Sequence, residues 1–312
     1  MSTRRIIGCV AAAIAIVVVG WEVFREGEPV YEGRTLSGWL ELLARTDDAR
    51  AQGRIVEVAL GKIGTNGLGW MVEWLSYEEP RWRRPLSEFV GRLPGQLVPN
   101  VIISGLEFDR KRQRADDAAT MLYAVGPAAT NAIPKLQRLM DDPKAGDASR
   151  RAISALASLG KDGLPPLLAA LSDPRHSNRV EIIHAISELE TNAGPAVPVL
   201  VECLQEQDAE VFRAAADVLG YLKLEPEIVV PALAGGLTSQ DYEIRIRSAE
   251  DLMEFEGAAK PAVPSLLQAL DDRDAWVRNA AEYALERIAP EELAKDKRTK
   301  THEPPMVFHR ID

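Results

Sequence analysis

Three stretches decide the fold: PVLVECL at 198–204, PALAGGL at 231–237 and PSLLQAL at 264–270. Each has leucine two and six residues after its proline, and each proline follows a valine (Val197, Val230 and Val263). Working toward the amino terminus, PPLLAAL at 165–171 and PKLQRLM at 134–140 repeat the pattern, so the five prolines Pro134, Pro165, Pro198, Pro231 and Pro264 stand at intervals of 31, 33, 33 and 33. Twelve residues before them come Leu122, Ile153, Ile186, Leu219 and Leu252. Self-similarity at this period identifies a stacked-repeat architecture.

Thirty-three residues accommodate two helices of about eleven residues and two short turns. Proline suits the opening turn of the first helix, where its missing N–H costs little and its fixed φ favours the helix. Asp208, Asp241 and Asp274 recur before the second helices. Their carboxylates can accept the free first-turn amides and complement the positive end of the helix dipole. The second helices carry apolar and small residues at helical spacing, as in Val211, Ala214, Ala215, Val218 and Leu219, or Val277, Ala280, Ala281, Ala284 and Leu285. One such pair cannot bury its own apolar face, so neighbours must stack. Low aromatic content, 6% of the chain, agrees with an all-α reading.

The pattern apolar-Pro-x-Leu, then Leu, then Asp-x-x-Val-Arg-x-x-Ala-Ala, clearest in Asp274–Leu285 with Val277 and Arg278, resembles HEAT repeats. It is especially similar to the short bacterial subclass first named for phycobilisome lyases. The resemblance covers residues 115–290 and implies an α-solenoid, a right-handed superhelix whose second helices line the inner curve and bind other proteins. Phe212 departs from it, taking the usual arginine position with Arg213 next to it, and the Ala148–Ser158 helix reads two residues short in register. Residues 47–114 show helical spacing without the proline signature, in Asp47–Leu75 (Ile55, Val58, Leu60, Ile63, Met71, Trp74, Leu75) and in Pro85–Leu106, and read as degenerate repeats.

Residues 1–5 carry Arg4 and Arg5, and Ile6–Trp21 holds no charge. Sixteen residues span about 24 Å, close to a ~30 Å hydrocarbon core once flanking side chains extend the reach. VVVGWEVF at 17–24 offers no small-residue cleavage pattern, so residues 6–24 are expected to be an uncleaved signal anchor rather than a removed signal peptide. Arginines before the span and Glu22, Glu26 and Glu28 after it place the amino terminus in the cytoplasm and the bulk outside a bacterial cytoplasmic membrane, in the periplasm. In 25–46, Tyr31, Gly33, Leu36, Trp39 and Leu40 resemble an element beside membrane anchors in planctomycete and verrucomicrobial repeat proteins. They read equally as an amphipathic capping helix burying Leu36, Trp39, Leu40 and Leu43. From Glu291 periodicity is lost, and 291–312 is expected to be a loose tail.

Charge divides along the chain, whose formal net charge is −10: eight basic residues face three acidic ones over Arg81–Arg114, whereas eighteen acidic face eight basic over Asp208–Glu292. An acidic body argues against nucleic acid and toward a protein or peptide partner of basic character. No catalytic site, cofactor or metal is expected: the single His-Glu pair, His302-Glu303, lies in the tail; His176 and His184 lack matching carboxylate repeats; and GKIGTNG at 61–67 misses the phosphate-loop pattern and reads as a turn. Cys203 reads as a buried small hydrophobe. Arg179, Arg213, Arg245 and Arg278 form a ladder that could bind a ligand on the concave face, or could pair structurally with the recurring aspartates. The reading is a non-catalytic, membrane-anchored interaction scaffold. Its alternatives are an assembly component of a membrane complex, or an enzyme or lyase-like protein handling a chromophore or cofactor. The oligomeric state is left open.

Overall fold

The computed structural model describes residues 27–42, 49–79, 108–206 and 208–296. The basic tip at 1–5, the anchor expected at 6–24, the upstream segment Pro85–Leu106, Leu43 and residues 297–312 of the tail lie outside the described residues. Among the described residues no helix is long and apolar enough to cross a membrane.

The chain is a helical stack. A two-residue hairpin, β1 (Val30–Tyr31) and β2 (Arg34–Thr35), precedes α1 (Leu36–Leu40), α2 (Ala49–Ile63), α3 (Thr65–Leu75) and α4 (Phe108–Thr120). Five hairpins follow: α5 (Ile133–Met140) with α6 (Gly146–Ser158), α7 (Leu164–Leu171) with α8 (Arg179–Ser187), α9 (Val197–Cys203) with α10 (Ala209–Leu222), α11 (Pro226–Gly236) with α12 (Tyr242–Glu254), and α13 (Val263–Ala269) with α14 (Ala275–Ile288). A last helix, α15 (Pro290–Lys295), packs on α14 and buries Leu293. Regular structure therefore runs past Glu291, where the apolar period stops. Successive second helices touch along the whole stack from α4 to α14, whereas contacts between successive first helices are sparse.

All three repeating apolar positions are core. The leucines after proline (Leu136, Leu167, Leu200, Leu233, Leu266) are fully buried, as are Leu122, Ile186, Leu219 and Leu252 twelve residues upstream. Each such side chain contributes roughly 1.5–3 kcal/mol when removed from water. Four prolines open their helices as expected. Pro231 does not: α11 starts five residues earlier with Pro226 at its head, so Pro231 lies inside the helix. In the neighbouring hairpins the corresponding approach is a tighter 3₁₀ segment, Glu190–Ala196 or Glu256–Ala262.

Asp208 accepts from the amides of Glu210 (3.0 Å) and Val211 (3.2 Å), Asp241 from that of Glu243 (2.8 Å) and Asp274 from that of Trp276 (2.8 Å). Where no aspartate recurs, other groups serve. The Glu78 carboxylate, seventy residues upstream, accepts from Ala148 N at 2.6 Å in the first turn of α6.

Several expectations need correction. The shortened repeat is not shortened in its second helix: α6 has thirteen residues, as α12 does, and the loss falls in the following turn, Gly160–Asp162, three residues where the neighbours use seven. This tight turn presses Gly163 so close to α6 that a β-carbon there would lie 1.9 Å from the Leu156 carbonyl oxygen. The boundary at 115 falls inside α4. Ile55 and Val58, grouped with the core by their spacing, are 52% and 59% exposed, while Leu60, Ile63, Met71 and Leu75 are buried. GKIGTNG is mostly helix, with Gly64 (φ +56°) joining α2 directly to α3. The capping element opens with strands the sequence did not announce. Glu32 and Gly33 take positive φ in the β1–β2 turn, and Trp39 Nε1 donates to the Tyr31 carbonyl at 3.1 Å.

Successive repeats interlock through one position, fourteen residues after Pro165, Pro198 and Pro231. Arg245, 3% exposed, donates to the Ser239 (2.9 Å) and Gln240 (3.1 Å) carbonyls of its own turn and, through Nε and Nη2, to both oxygens of Asp272 in the next hairpin (2.8 and 3.0 Å). Arg179 does the same with the Leu171 carbonyl (3.1 Å) and the Glu206 carboxylate, with Cys203 Sγ at 3.5 Å. Burial pushes the Cys203 thiol up to about 11, so it stays protonated beside the guanidinium. Phe212 fills the equivalent place. Its ring needs space where the arginines need an acid, and the next hairpin supplies Gly236, where a β-carbon would stand 3.0 Å from Phe212 Cζ and 2.1 Å from Ser248 Oγ. Ser239 there replaces Glu206 and Asp272 of the flanking hairpins. Arg278 donates to the Asp272 carbonyl of its own turn (2.7 Å).

Removing Arg245 takes the guanidinium from a part-buried Asp272 carboxylate, which keeps only the Asp274 amide (2.8 Å), and takes a donor from the Ser239 and Gln240 carbonyls. Arg245→Ala is expected to cost about 3 kcal/mol in urea-unfolding stability, and Arg278→Ala less than about 1 kcal/mol. Equal losses would show that the inter-hairpin bridge is not what distinguishes them.

Candidate functional site

Once their inner sides are buried, the second helices leave one continuous face open. On α8 it carries Glu181 and His184, with Glu188 just past its end; on α10, Glu210, Arg213, Asp217 and Tyr221; on α12, Glu243, Arg247, Glu250 and Glu254; on α14, Trp276, Tyr283 and Glu286. The three- and four-residue spacing of these side chains follows from helix geometry. A cleft of about 340 Å³ lies in this face between α10 and α12, lined by Phe212, Arg213, Glu243, Ile246, Arg247 and Glu250.

Arg247 ties the two helices together, with Nη1 at 3.3 Å from Asp217 on α10 and 3.2 Å from Glu250 on its own helix. One guanidinium thus serves several carboxylates. Behind it Asp251 is 3% exposed; its Oδ2 accepts no hydrogen bond, and Arg247 Nε stands 4.0 Å away. Burial raises its pKa to about 8; the pull of Arg247 is outweighed by desolvation and by the neighbouring charges of Asp217, Glu250 and Glu254.

The four arginines expected on the concave face do not form one site. Arg179 and Arg245 are buried in the bridges described above, so no ligand reaches them. Arg278 is half-buried over its own turn. Arg213, one residue past the arginine position that Phe212 takes, is exposed and lines the cleft. The sequence reading missed Arg247, Asp217 and Glu250. Their signal, carboxylates recurring at thirty-three residues on an outward position, was present but masked by the stronger apolar period.

The histidines take no part in this face as a pair. His176, in the turn before α8, has Nε2 3.4 Å from Asp141 of the preceding hairpin and accepts from the Asn178 amide through Nδ1 at 3.3 Å. His184 is exposed on α8. Among the described residues no group of three or more His, Cys, Asp or Glu could hold a metal ion.

The raised pKa of Asp251 gives a pH signature. A carboxyl that binds its proton more tightly when folded stabilises the fold fully below its unfolded pKa, near 4, and that contribution is lost as pH rises toward about 8. Asp251→Asn is expected to flatten this decline and to raise stability at pH 8 by on the order of 2 kcal/mol. Urea titrations of both proteins at pH 5, 6.5 and 8 check it, and parallel pH curves would contradict the assignment.

The model for the HEAT repeats family matches residues 133–220 and 197–286. Over 93 residues the chain is 31% identical to an uncharacterized protein, SkfG, of Bacillus subtilis strain 168; the match covers 30% of this chain and 52% of that protein, so the chain spans about half the length of this curated relative. Among solved structures, the complex of CpcE and CpcF of phycocyanin lyase from Nostoc sp. is similar at 25% identity and a TM-score of 0.39, covering 49% of this chain and 98% of that one. Human deoxyhypusine hydroxylase is similar at 19% identity and a TM-score of 0.35, covering 82% and 98%. With the proline register and the stacked hairpins already established, the family match leads to one conclusion: residues 133–286 of this chain are HEAT repeats.

Proposed function

We propose that the protein is a non-catalytic scaffold that holds a basic protein or peptide partner on the open face of its second helices. In this reading the stack curves as a right-handed superhelix with that face inside. The contact pattern supports the curvature: the second helices pack closely along the whole stack, while the first helices meet sparsely. Residues 6–24 cross the cytoplasmic membrane once, with the amino terminus inside and the repeats outside. Their uncharged run behind Arg4 and Arg5 supports this.

The observation that carries the partner assignment is the composition of the open face. Glu210, Asp217, Glu243, Glu250 and Glu254 stand on it against Arg213, Arg247 and Lys223, the last paired with Glu254 at 3.4 Å, and Trp276 and Tyr283 remain 40% and 43% exposed at its end. Exposed aromatics within an acidic surface offer a basic segment both charge and ring contacts. Many modest contacts spread over several helices suit a scaffold, and they speed capture at low salt.

Full-length protein immobilised through its carboxyl terminus is expected to capture a basic partner from membranes at about 50 mM salt and to release most of it at about 500 mM, where the Debye length is near 4 Å. Replacing Glu210 and Glu243 together by Gln is expected to weaken capture severalfold without lowering the melting temperature. Capture indifferent to both salt and these substitutions would remove the electrostatic assignment.

A further inference from the structure

Two rows of the open face repeat with the same thirty-three-residue period as the core. One row is Glu210, Glu243 and Trp276; the other is Asp217, Glu250 and Tyr283. In both, α10 and α12 present a carboxylate and α14 presents an aromatic ring. The two rows are seven residues apart, two helical turns, so each helix offers its pair on one side. Asp217 and Glu250 are bridged by Arg247, which holds the second row in place while leaving it short of positive charge.

Packed helices lie about 8–10 Å apart. A segment crossing them transversely meets each row element at that interval. A polyproline II chain rises about 3.1 Å per residue with three residues per turn, so every third side chain falls on one side, about 9.3 Å from the last. A β-strand fails this match, because its third residue points to the opposite face. From this coincidence of spacing, and resting on the scaffold reading above, we infer that the face binds an extended polyproline II segment with a basic residue at every third position. The first two basic residues meet the carboxylate pairs on α10 and α12, and the third, an arginine, stacks on Trp276 and Tyr283. Arginine suits that last place because its planar guanidinium lies flat on a ring.

The test uses the full chain and two fluorescent peptides of identical composition, one with three arginines separated by proline pairs and one with the arginines in a block followed by the prolines. Binding is followed by anisotropy at low salt. The spaced peptide is expected to bind about tenfold more tightly, about 1.4 kcal/mol, because it aligns one further cation–ring contact. Trp276→Ala is expected to remove most of that advantage, and Glu243→Gln to weaken the spaced peptide severalfold, both with unchanged melting temperature. Equal affinity of the two peptides would overturn the register while sparing the basic-partner assignment. Binding of neither would overturn both. Self-association abolished by the same two substitutions would assign the face to a second copy of the chain and overturn the inference.

Discussion

Each hairpin of this protein is too small to hide its own apolar side. Two helices of seven to fourteen residues bring a row of leucines and alanines to one surface, and only the next hairpin can cover it. Everything else is arranged around that dependence. The leucine after each proline fills the space within a pair, the alanines of the second helices let neighbours approach, and the residue fourteen positions after proline reaches across to the following pair.

That reaching residue shows how polar and apolar solutions to one geometric problem coexist. Arg179 and Arg245 bring a charge into the stack and must be met there, so Glu206 and Asp272 stand in the next turn and backbone carbonyls take the remaining donors. Phe212 brings volume instead, and the next hairpin yields space at Gly236. The cross-chain partner, and not the local helix, explains why arginine or phenylalanine is tolerated at the same place.

Burying one side of every helix also decides what is left outside. Charges that cannot be buried gather on the open face of the second helices, and their periodicity is inherited from the core, since identical hairpins expose equivalent positions. Asp251, unlike the buried and partnered Arg179 and Arg245, sits under the face without a hydrogen bond on Oδ2, at a cost in stability. The HEAT-repeat scaffold thus combines a rigid apolar frame with a polar surface whose spacing the frame sets.

The repeat, the helical hairpins, the buried leucine register and the aspartates before the second helices were legible in the residues alone. They depend on local propensity and on a period that any neighbour of the same kind satisfies. The site was legible only as a suspicion. Arginines at regular spacing read as a ladder, yet their burial depends on which carboxylate the next hairpin offers, a relation between residues 27 apart in Arg179–Glu206 and Arg245–Asp272. The same holds for the turn that absorbs the shortened repeat, the early start of α11, the strands before α1 and the exposure of Ile55 and Val58. Each is settled by what packs against it from elsewhere in the chain, and helix periodicity carries no information about that.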